Sequence, residues 1–457
     1  MNLFPIESRF NTCKTVLSLT LILVTGCDAL RSTTGNSTVG NAAALFGAPA
    51  ADEAGNAVQQ IARDIEEADI VKVVGDKVYA LNRFKGLIII DVANPDAPAV
   101  LGTLDLRGRG VEMYVIGQRV YAILSADFYY ALRDGPTFGA PGNPVPANDI
   151  APSGPPLPQP DFEGSQLAII DISNTASPAL LGKINLVGYA NQSRRVGDII
   201  YVVGSNLYTH GYAEDSAIAI PEDGFVASVN VADPDNIVPV ERKTFSANSL
   251  AIHVSTTTIF AAGQVYDSNN GGTTTHIQAI DISDPAGAIA MRGTVDVPGR
   301  IRNRFYMDES DDVLRVATES DGFGFRTAKL YTYDASNLDA ITVLGQVQII
   351  QGESLEAVRF DGPRGYAVTF LRVDPLFVID LSDPANPAVT GSLIVPGFST
   401  HLEPRGNRLI AVGIDDTDGR RPAVAYYNVE DPANPTELGR VILGPPGSYT
   451  ESDAAYD

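Results

Sequence analysis

The sequence contains no tryptophan and only two cysteines, Cys13 and Cys27, among its 457 residues. Cys13 lies in a segment that we expect to be removed, and Cys27 is the predicted site of a lipid anchor. The mature chain then has no disulfide and no free thiol, which excludes thiol catalysis. A chain of this length does not need disulfide staples, because it buries a large core.

Sequence signatures of common catalytic sites are also missing. The four histidines are His210, His253, His276 and His401, and none forms a His-x-x-x-His pair that would indicate zinc. There is no G-x-S-x-G motif of the kind that carries a nucleophilic serine in hydrolases. The sequence therefore offers no catalytic residues that a motif would identify.

Positive charge is scarce. The chain has 32 Lys and Arg against 55 Asp and Glu, which gives a formal net charge of −23. Nucleic acid and anionic lipid both require a basic surface, so both are poor candidates for partners. The acidic balance fits a soluble exported protein. Affinity for divalent cations is the alternative interpretation.

What the sequence does have is one short phrase, written seven times. The copies begin at Asp91, Asp171, Asn230, Asp281, Asp334, Asp380 and Asn428, with spacings of 80, 59, 51, 53, 46 and 48 residues. DVANPDAP and DLSDPANP are two of them. Asp and Asn bond to nearby backbone amides and Pro presets φ, so each copy predicts a tight turn. A period of ~40–50 residues is typical of a β-propeller.

Strand-like runs surround each copy of the phrase. In the first unit DIVKVVG (69–75), KVYALN (77–82) and LIIID (87–91) precede the turn, and AVLGTLDL (99–106) follows it. Four runs make one blade, so seven units predict an all-β propeller of about seven four-stranded blades. The alternative is a sandwich with many exposed turns. Without tryptophan, propellers that repeat this residue, such as quinoprotein dehydrogenases and Asp-box sialidases, are disfavoured.

The N-terminus is predicted to lie outside the fold. Basic residues precede an apolar run from Val16 to Val24, which is too short to span a bilayer and is typical of a signal peptide. Val24-Thr25-Gly26-Cys27 resembles a bacterial lipobox, which implies cleavage after residue 26 and diacylation of Cys27. An ordinary secretory signal is the alternative. Residues 27–64 then form a flexible tether, with 57–67 as a short helix or the approach to the first blade.

A stretch rich in proline and glycine, residues 133–163, interrupts the second unit and accounts for its long spacing. This composition predicts an extended insertion in the propeller. It is either a recognition segment or a solvated loop.

The run VTFLRVDPLFVIDLSDPANP (368–387) lies within residues 365–414, which resemble exported prokaryotic β-propeller proteins distantly related to WD40 repeats. LIIIDVANPDAP (87–98) is similar to the LVIVD repeat of prokaryotic surface proteins. The resemblance covers 65–457 and implies an exported propeller without assigned catalytic residues. IARDIE (61–66) departs from the family's pattern. The family continues beyond a segment like GSYTESDAAYD (447–457), so this chain is either a shorter relative or lacks a closing element at the blade one–blade seven seam.

Two candidate sites follow from the predicted fold. Propeller ligands bind at the mouth of the central channel, where we select Glu112, Arg304, Glu356 and His401 as ligand-binding residues; a structural ion-pair lining is the alternative. Asp415, Asp416 and Asp418 form an acidic loop whose closely spaced carboxylates suit Ca²⁺. The alternative there is a solvated hairpin turn.

These observations predict a lipid-anchored propeller outside the cytoplasm, in the cell envelope. It would act as a binding scaffold for an envelope protein or a polysaccharide, contact the membrane through its anchor, and catalyse nothing. The alternative is an enzyme with a polar site at the channel mouth, such as a calcium-assisted hydrolase or lactonase.

Overall fold

The computed structural model describes residues 64–82, 85–126, 160–206, 224–246, 251–267, 272–322, 325–370 and 374–450. All of these belong to one unit, Ala62–Glu451. The predicted signal peptide, Cys27, the tether up to residue 63 and residues 133–159 of the insertion lie outside the described residues. Within the described ranges, no helix has the length and apolar character needed to cross a membrane.

The described residues form seven antiparallel sheets, each built from four consecutive strands, and one sheet carries a fifth strand. Strand β1, Ile65–Glu67, precedes the blades. Blade 1 contains β2–β5 (Val71–Val74, Lys77–Asn82, Gly86–Asp91, Ala99–Leu104), and blade 2 contains β6–β9 (Arg109–Ile116, Arg119–Ser125, Ser165–Asp171, Ala179–Asn185). Blade 3 contains β10–β13 (Tyr189–Val196, Ile199–Ser205, Gly224–Asn230, Val238–Phe245), and blade 4 contains β14–β17 (Ala251–Val254, Thr258–Asp267, Gly272–Asp281, Ala290–Pro298).

Blade 5 contains β18–β21 (Met307–Ser310, Val313–Gly322, Phe325–Asp334, Thr342–Gln351), preceded by a 3-10 helix at Arg304–Tyr306. Blade 6 contains β22–β25 (Ser354–Asp361, Arg364–Phe370, Asp374–Asp380, Ala388–Val395), and blade 7 contains β26–β29 (Phe398–Arg405, Arg408–Asp415, Arg421–Asn428, Thr436–Ile442). The prediction of an all-β propeller with seven four-stranded blades is confirmed.

The repeated phrase is the turn between the third and fourth strands of every blade, as its composition predicts. Asp91 shows the pattern: its carboxylate accepts the backbone N–H of Ala93 at 2.8 Å, and Asn94 accepts that of Asp96 at 3.2 Å. All seven copies make both bonds; the first acceptors are Asp91, Asp171, Asn230, Asp281, Asp334, Asp380 and Asn428. The second acceptors are Asn94, Asn174, Asp233, Asp284, Asn337, Asp383 and Asp431. The phrase recurs because one turn chemistry is needed seven times.

The core lies between the blades. The second and third strands alternate side chains between two faces, and each face packs against the neighbouring blade. Apolar clusters join blades 1 and 2, blades 2 and 3, blades 3 and 4, blades 4 to 6, and blades 6 and 7. The first strands of successive blades lie next to one another, so they form the innermost layer.

No apolar cluster among the described residues joins blade 7 to blade 1. Val71, Val100 and Tyr426, on the two faces concerned, are 40%, 61% and 42% exposed. The sequence left open whether the ring closes at this seam, and no apolar cluster spans the seam among the described residues.

Residues 65–67, the end of the segment predicted as a short helix or the approach to blade 1, form strand β1. It pairs antiparallel with β10, the innermost strand of blade 3, with Ile65 opposite Val196 and Glu67 opposite Arg194. No sequence pattern predicts this strand, because three residues are too few to show a strand period.

Candidate functional site

A polar cavity of about 270 Å³ lies among β1 and the first strands of blades 3 to 6. Its wall carries three arginines, Arg194, Arg304 and Arg359, together with Phe305 and Phe360. The innermost strands of blades 3 and 6, together with the 3-10 helix that leads into blade 5, bring these side chains together. Residues far apart in the sequence therefore share one site.

Glu67 of β1 lies between two of these arginines. Its carboxylate oxygens are 3.3 Å from a guanidinium nitrogen of Arg194 and 3.4 Å from one of Arg304. Burial alone would raise the pKa of Glu67, but the positive charges of Arg194, Arg304, Arg359 and Lys72 hold it below its usual range. Glu67 is therefore an anion in a site that favours anions.

Phe305 organises the other half of the cavity. The guanidinium groups of Arg304 and Arg359 lie 4.9 and 4.1 Å from its ring centroid, and the ring of His401 meets it edge-on at 5.5 Å. Stacking of this kind fixes arginines in place without consuming their hydrogen-bond donors. The arginines can therefore hold a planar anion.

His401 itself is a weak base in this setting. Its burial, followed by the positive charge of Arg359, lowers the pKa of the imidazole, although Glu403 opposes this effect. Nε2 of His401 lies 3.9 Å from a carboxylate oxygen of Glu403, which also pairs with Arg359 at 3.4 Å. The imidazole is thus neutral near pH 7, and it contributes its edge-on contact with Phe305 instead of a charge.

Glu112 is buried behind the cavity wall. The hydroxyl of Ser193 donates to its carboxylate at 2.6 Å, and the Tyr114 hydroxyl lies 2.8 Å from the same Ser193 oxygen. Burial raises the pKa of Glu112, while the bond from Ser193 and the charge of Arg194 oppose the rise. Ser193 is fully buried, so this chain of hydrogen bonds lies away from any substrate at the mouth.

Glu356 belongs to a different group. It pairs with Arg302 at 2.8 Å, and Arg302 also faces Glu319, which is fully buried and pairs with Arg300 at 2.6 Å. Of the four residues selected from the sequence, Arg304 lines the cavity and His401 supports it through Phe305. Glu112 and Glu356 lie in separate networks, so the four do not converge.

The structure does not bring the three carboxylates of the predicted calcium loop together. Oδ1 of Asp415 accepts the backbone N–H of Thr417 at 3.1 Å, and its other oxygen lies 3.6 Å from Arg440. Asp418 lies 4.0 Å from Arg421. In the part of the chain that the structure describes, no three acidic or histidine side chains form a group that could hold a metal ion.

Sequence reasoning missed the residues that define the cavity. Glu67 falls in the segment predicted as a short helix or the approach to the first blade, with no predicted role, and Arg194 and Arg359 are not among the four residues selected from the sequence. One signal was present: Arg194 and Arg359 lie in the first strands of blades 3 and 6, and Arg304 lies just before the first strand of blade 5. Arginines that recur in or next to the innermost strands indicate that these strands share one channel surface.

Comparison with known proteins finds uncharacterised relatives that match about a third of the chain. The chain is 40% identical over 151 residues to an uncharacterised protein of Methanocaldococcus jannaschii, covering 32% of this chain and 24% of the relative. It is 39% identical over 152 residues to an uncharacterised protein of Archaeoglobus fulgidus, covering 33% and 23%. The chain thus spans about a quarter of the length of the curated relatives it matches.

Among solved structures, BamB from Moraxella catarrhalis matches with a TM-score of 0.34 and 9% identity, over 77% of this chain and 96% of BamB. The family model described as "Beta propeller domain" matches residues 59–224 and 216–457. These two segments cover every blade, and the chain accordingly belongs to the beta propeller domain family.

Proposed function

We propose that this protein is a non-catalytic binding propeller that is exported, anchored by a lipid on Cys27, and recognises a protein partner at the channel mouth. One observation carries the proposal: Arg194, Arg304 and Arg359 line one cavity. The ring of Phe305 holds Arg304 and Arg359 in place. Pre-positioned arginines favour recognition, because little side-chain freedom is lost when an anionic partner binds.

The enzyme alternative receives no specific support from the geometry. Glu112, the carboxylate that would act as acid or base, is buried against Ser193 and Tyr114, and Glu356 is paired with Arg302. Substituting Glu112→Gln and Glu356→Gln tests this directly. Loss of a measured hydrolase or lactonase turnover in either variant would restore the enzyme hypothesis.

The binding function is tested by crosslinking in cells that express the tagged full-length protein, followed by mass spectrometry of the membrane fraction. We expect one near-stoichiometric partner, which is lost in the double variant Arg304→Glu and Arg359→Glu. The matched control is Lys183→Glu, which reverses a charge on β9, an outermost strand. A partner that survives the channel variant, or no partner at all, contradicts the proposed site.

The anchor is tested separately. Cys27→Ala removes the only sulfur that a diacyl group could use, so we expect the protein to move from the membrane fraction to the soluble fraction. Retention in the membrane would show that a different attachment operates.

A further inference from the structure

Strand β1 makes blade 3 different from the other blades. In the other six described sheets no further strand lies beside the first one, apart from a single bridge from Asp69 to Met113 of β6, whereas in blade 3 the inner edge of β10 is covered by Ile65–Glu67. The backbone N–H of Gly197 also donates to the carbonyl of Asp64 at 2.9 Å. An edge strand with free backbone donors and acceptors is a template for an added strand, and here the added strand comes from the chain itself.

Each of the two glutamates of β1 contacts two cationic side chains, and these contacts favour its register. Glu67 meets Arg194 and Arg304, as described above, and Glu66 meets Arg195 at 3.1 Å and Lys72 at 3.4 Å. Carboxylates of an extended peptide are thus the feature that this edge recognises. Hydrogen bonds between an arginine and a carboxylate are among the stronger hydrogen bonds in proteins.

The apolar contribution of β1 is small. Ile65 is 41% exposed and belongs to none of the apolar clusters, and the Glu67 side chain is 57% exposed. Only three residue pairs join β1 to β10. Because so little apolar area is buried, β1 is held mainly by backbone pairing, by its carboxylates and by its covalent connection to blade 1.

We propose that the inner edge of β10, with Arg194, Arg304 and Arg359, is a binding site for an extended acidic peptide, and that β1 is its built-in occupant. The inference rests on the proposed function and specifies the chemistry of the partner. A partner peptide would replace β1, pair its backbone with β10, and place a carboxylate where Glu67 lies. Side chains next to that carboxylate would enter the 270 Å³ cavity beside Phe305 and Phe360.

A peptide fits this site better than a sugar acid does. A uronate would satisfy the arginines but would leave the ladder donors and acceptors of β10 without partners, and unpaired backbone groups are costly. A peptide strand satisfies both. The chain's own occupant also shows that the edge accepts an extended backbone in antiparallel register.

The test uses a fluorescent peptide with the sequence of residues 62–69, ARDIEEAD, as the probe. Its binding to the purified mature chain is followed by fluorescence anisotropy. The variant Glu66→Ala, Glu67→Ala weakens the built-in strand, so we expect it to bind the probe at least ~10-fold more tightly than the wild type does. A probe carrying the Glu67→Gln change should bind the same variant at least ~10-fold more weakly, because it lacks the carboxylate.

Adding Arg304→Ala and Arg359→Ala to the weakened variant should remove the preference for the carboxylate probe. The matched control adds Arg405→Ala instead; this arginine, also near the channel, is 63% exposed and pairs with Glu403 at 3.1 Å. It should leave binding unchanged. Circular dichroism and thermal melting check the fold of each variant, and Glu67→Gln alone serves if the double substitution does not fold.

Three results would overturn the proposal. The first is no saturable binding of the probe to the weakened variant up to about 1 mM, the order of effective concentration of a short tethered strand. The second is binding that does not depend on Arg304 and Arg359. The third is binding of trigalacturonate at the arginines without binding of the peptide, which would identify a polysaccharide site. If crosslinking still finds a partner in cells, the proposed function survives and only the peptide site fails.

Discussion

Blades 6 and 7 carry the same apolar pattern, but among the described residues only the pattern of blade 6 joins an apolar cluster with a following blade. Val368 and Leu376, on the face of blade 6 that is directed at blade 7, are 1% and 0% exposed because blade 7 packs against them. Val412 and Val424 occupy the corresponding positions of blade 7 and remain half-buried. The repeat therefore specifies each face, whereas burial depends on the neighbour.

Blades 2 and 1 show the same contrast at the other end. Ala168 and Ile170, on the face of blade 2 that meets blade 1, are fully buried. Their counterparts in blade 1, Ile88 and Ile90, are only partly buried. Each terminal blade has one well-packed face and one poorly packed face, so the stability of the propeller should be lowest at its two ends.

The largest expected effect comes from removing a buried isoleucine. Ile170→Ala should lower the free energy of unfolding by about 2 to 5 kcal/mol, because a cavity is left between blades 1 and 2. Ile90→Ala, at the corresponding place on the uncovered face, should cost less than half as much. Urea unfolding followed by circular dichroism measures both. Equal costs would mean that the blade 1 face is covered in solution.

The strands and turns of the blades could be predicted from the sequence. Runs such as KVYALN correspond to β3, Lys77–Asn82, residue for residue, since alternation and turn residues are local signals. The seven turns followed from Asp, Asn and Pro alone. The burial of each face could not follow from the sequence, because it depends on whether another blade lies opposite. The resemblance to longer relatives pointed to the seam but left both alternatives open.

The site was harder to predict than the fold. Glu67 lies on a three-residue strand with no period, and its partners Arg194 and Arg304 are more than a hundred residues away in the sequence. Charge pairs of this kind are set by the three-dimensional arrangement of the blades. Composition therefore identified polar residues near the channel but not the subset that converges.

Two glycines provide the sharpest matched pair. A Cβ on Gly391 of blade 6 would lie 2.2 Å from the carbonyl oxygen of Pro432 in the repeated turn of blade 7, whereas a Cβ on Gly439 of blade 7 would meet nothing within 4 Å. Gly391→Ala should therefore destabilise the protein by about 1 to 3 kcal/mol through overpacking.

Gly439→Ala should instead be neutral or stabilising by about 0.4 to 1 kcal/mol, because it restricts the unfolded chain without a clash. The difference in unfolding midpoint between the two alanine variants is the measurement. If Gly439→Ala destabilises as much as Gly391→Ala, a turn packs against blade 7 in solution, and the seam is closed.

A conservative pair tests the same contrast at smaller scale. Val368→Ala removes two methyl groups from a buried site, for which we expect a loss of about 1 to 2 kcal/mol. Val412→Ala removes the same atoms from the half-buried site and should cost under about 1 kcal/mol. Thermal melts at several protein concentrations are informative, since a Val412 effect that grows with concentration would indicate that a second copy covers this face.

The smallest expected effect extends the comparison from the apolar faces to the channel wall. His253 accepts the backbone N–H of Glu309 at 3.0 Å through Nε2. Burial lowers the pKa of this imidazole, and Arg194 and Arg315 act in the same direction, whereas Asp308 and Glu67 oppose them. The folded protein therefore keeps His253 neutral at a pH where the unfolded chain protonates it.

Since the unfolded state then binds more protons, stability should fall as pH falls through about 6.5, the ordinary pKa of histidine, and level off below the folded pKa. His253→Asn keeps a side-chain acceptor but does not titrate, so it should flatten this part of the pH profile. His276→Asn is the control, because His276 faces Asp296 at the surface of blade 4. The measurement is the denaturant midpoint of each variant between pH 7.5 and 5. If the midpoint of His253→Asn falls with pH as steeply as that of the wild type, a group other than His253 takes up the proton.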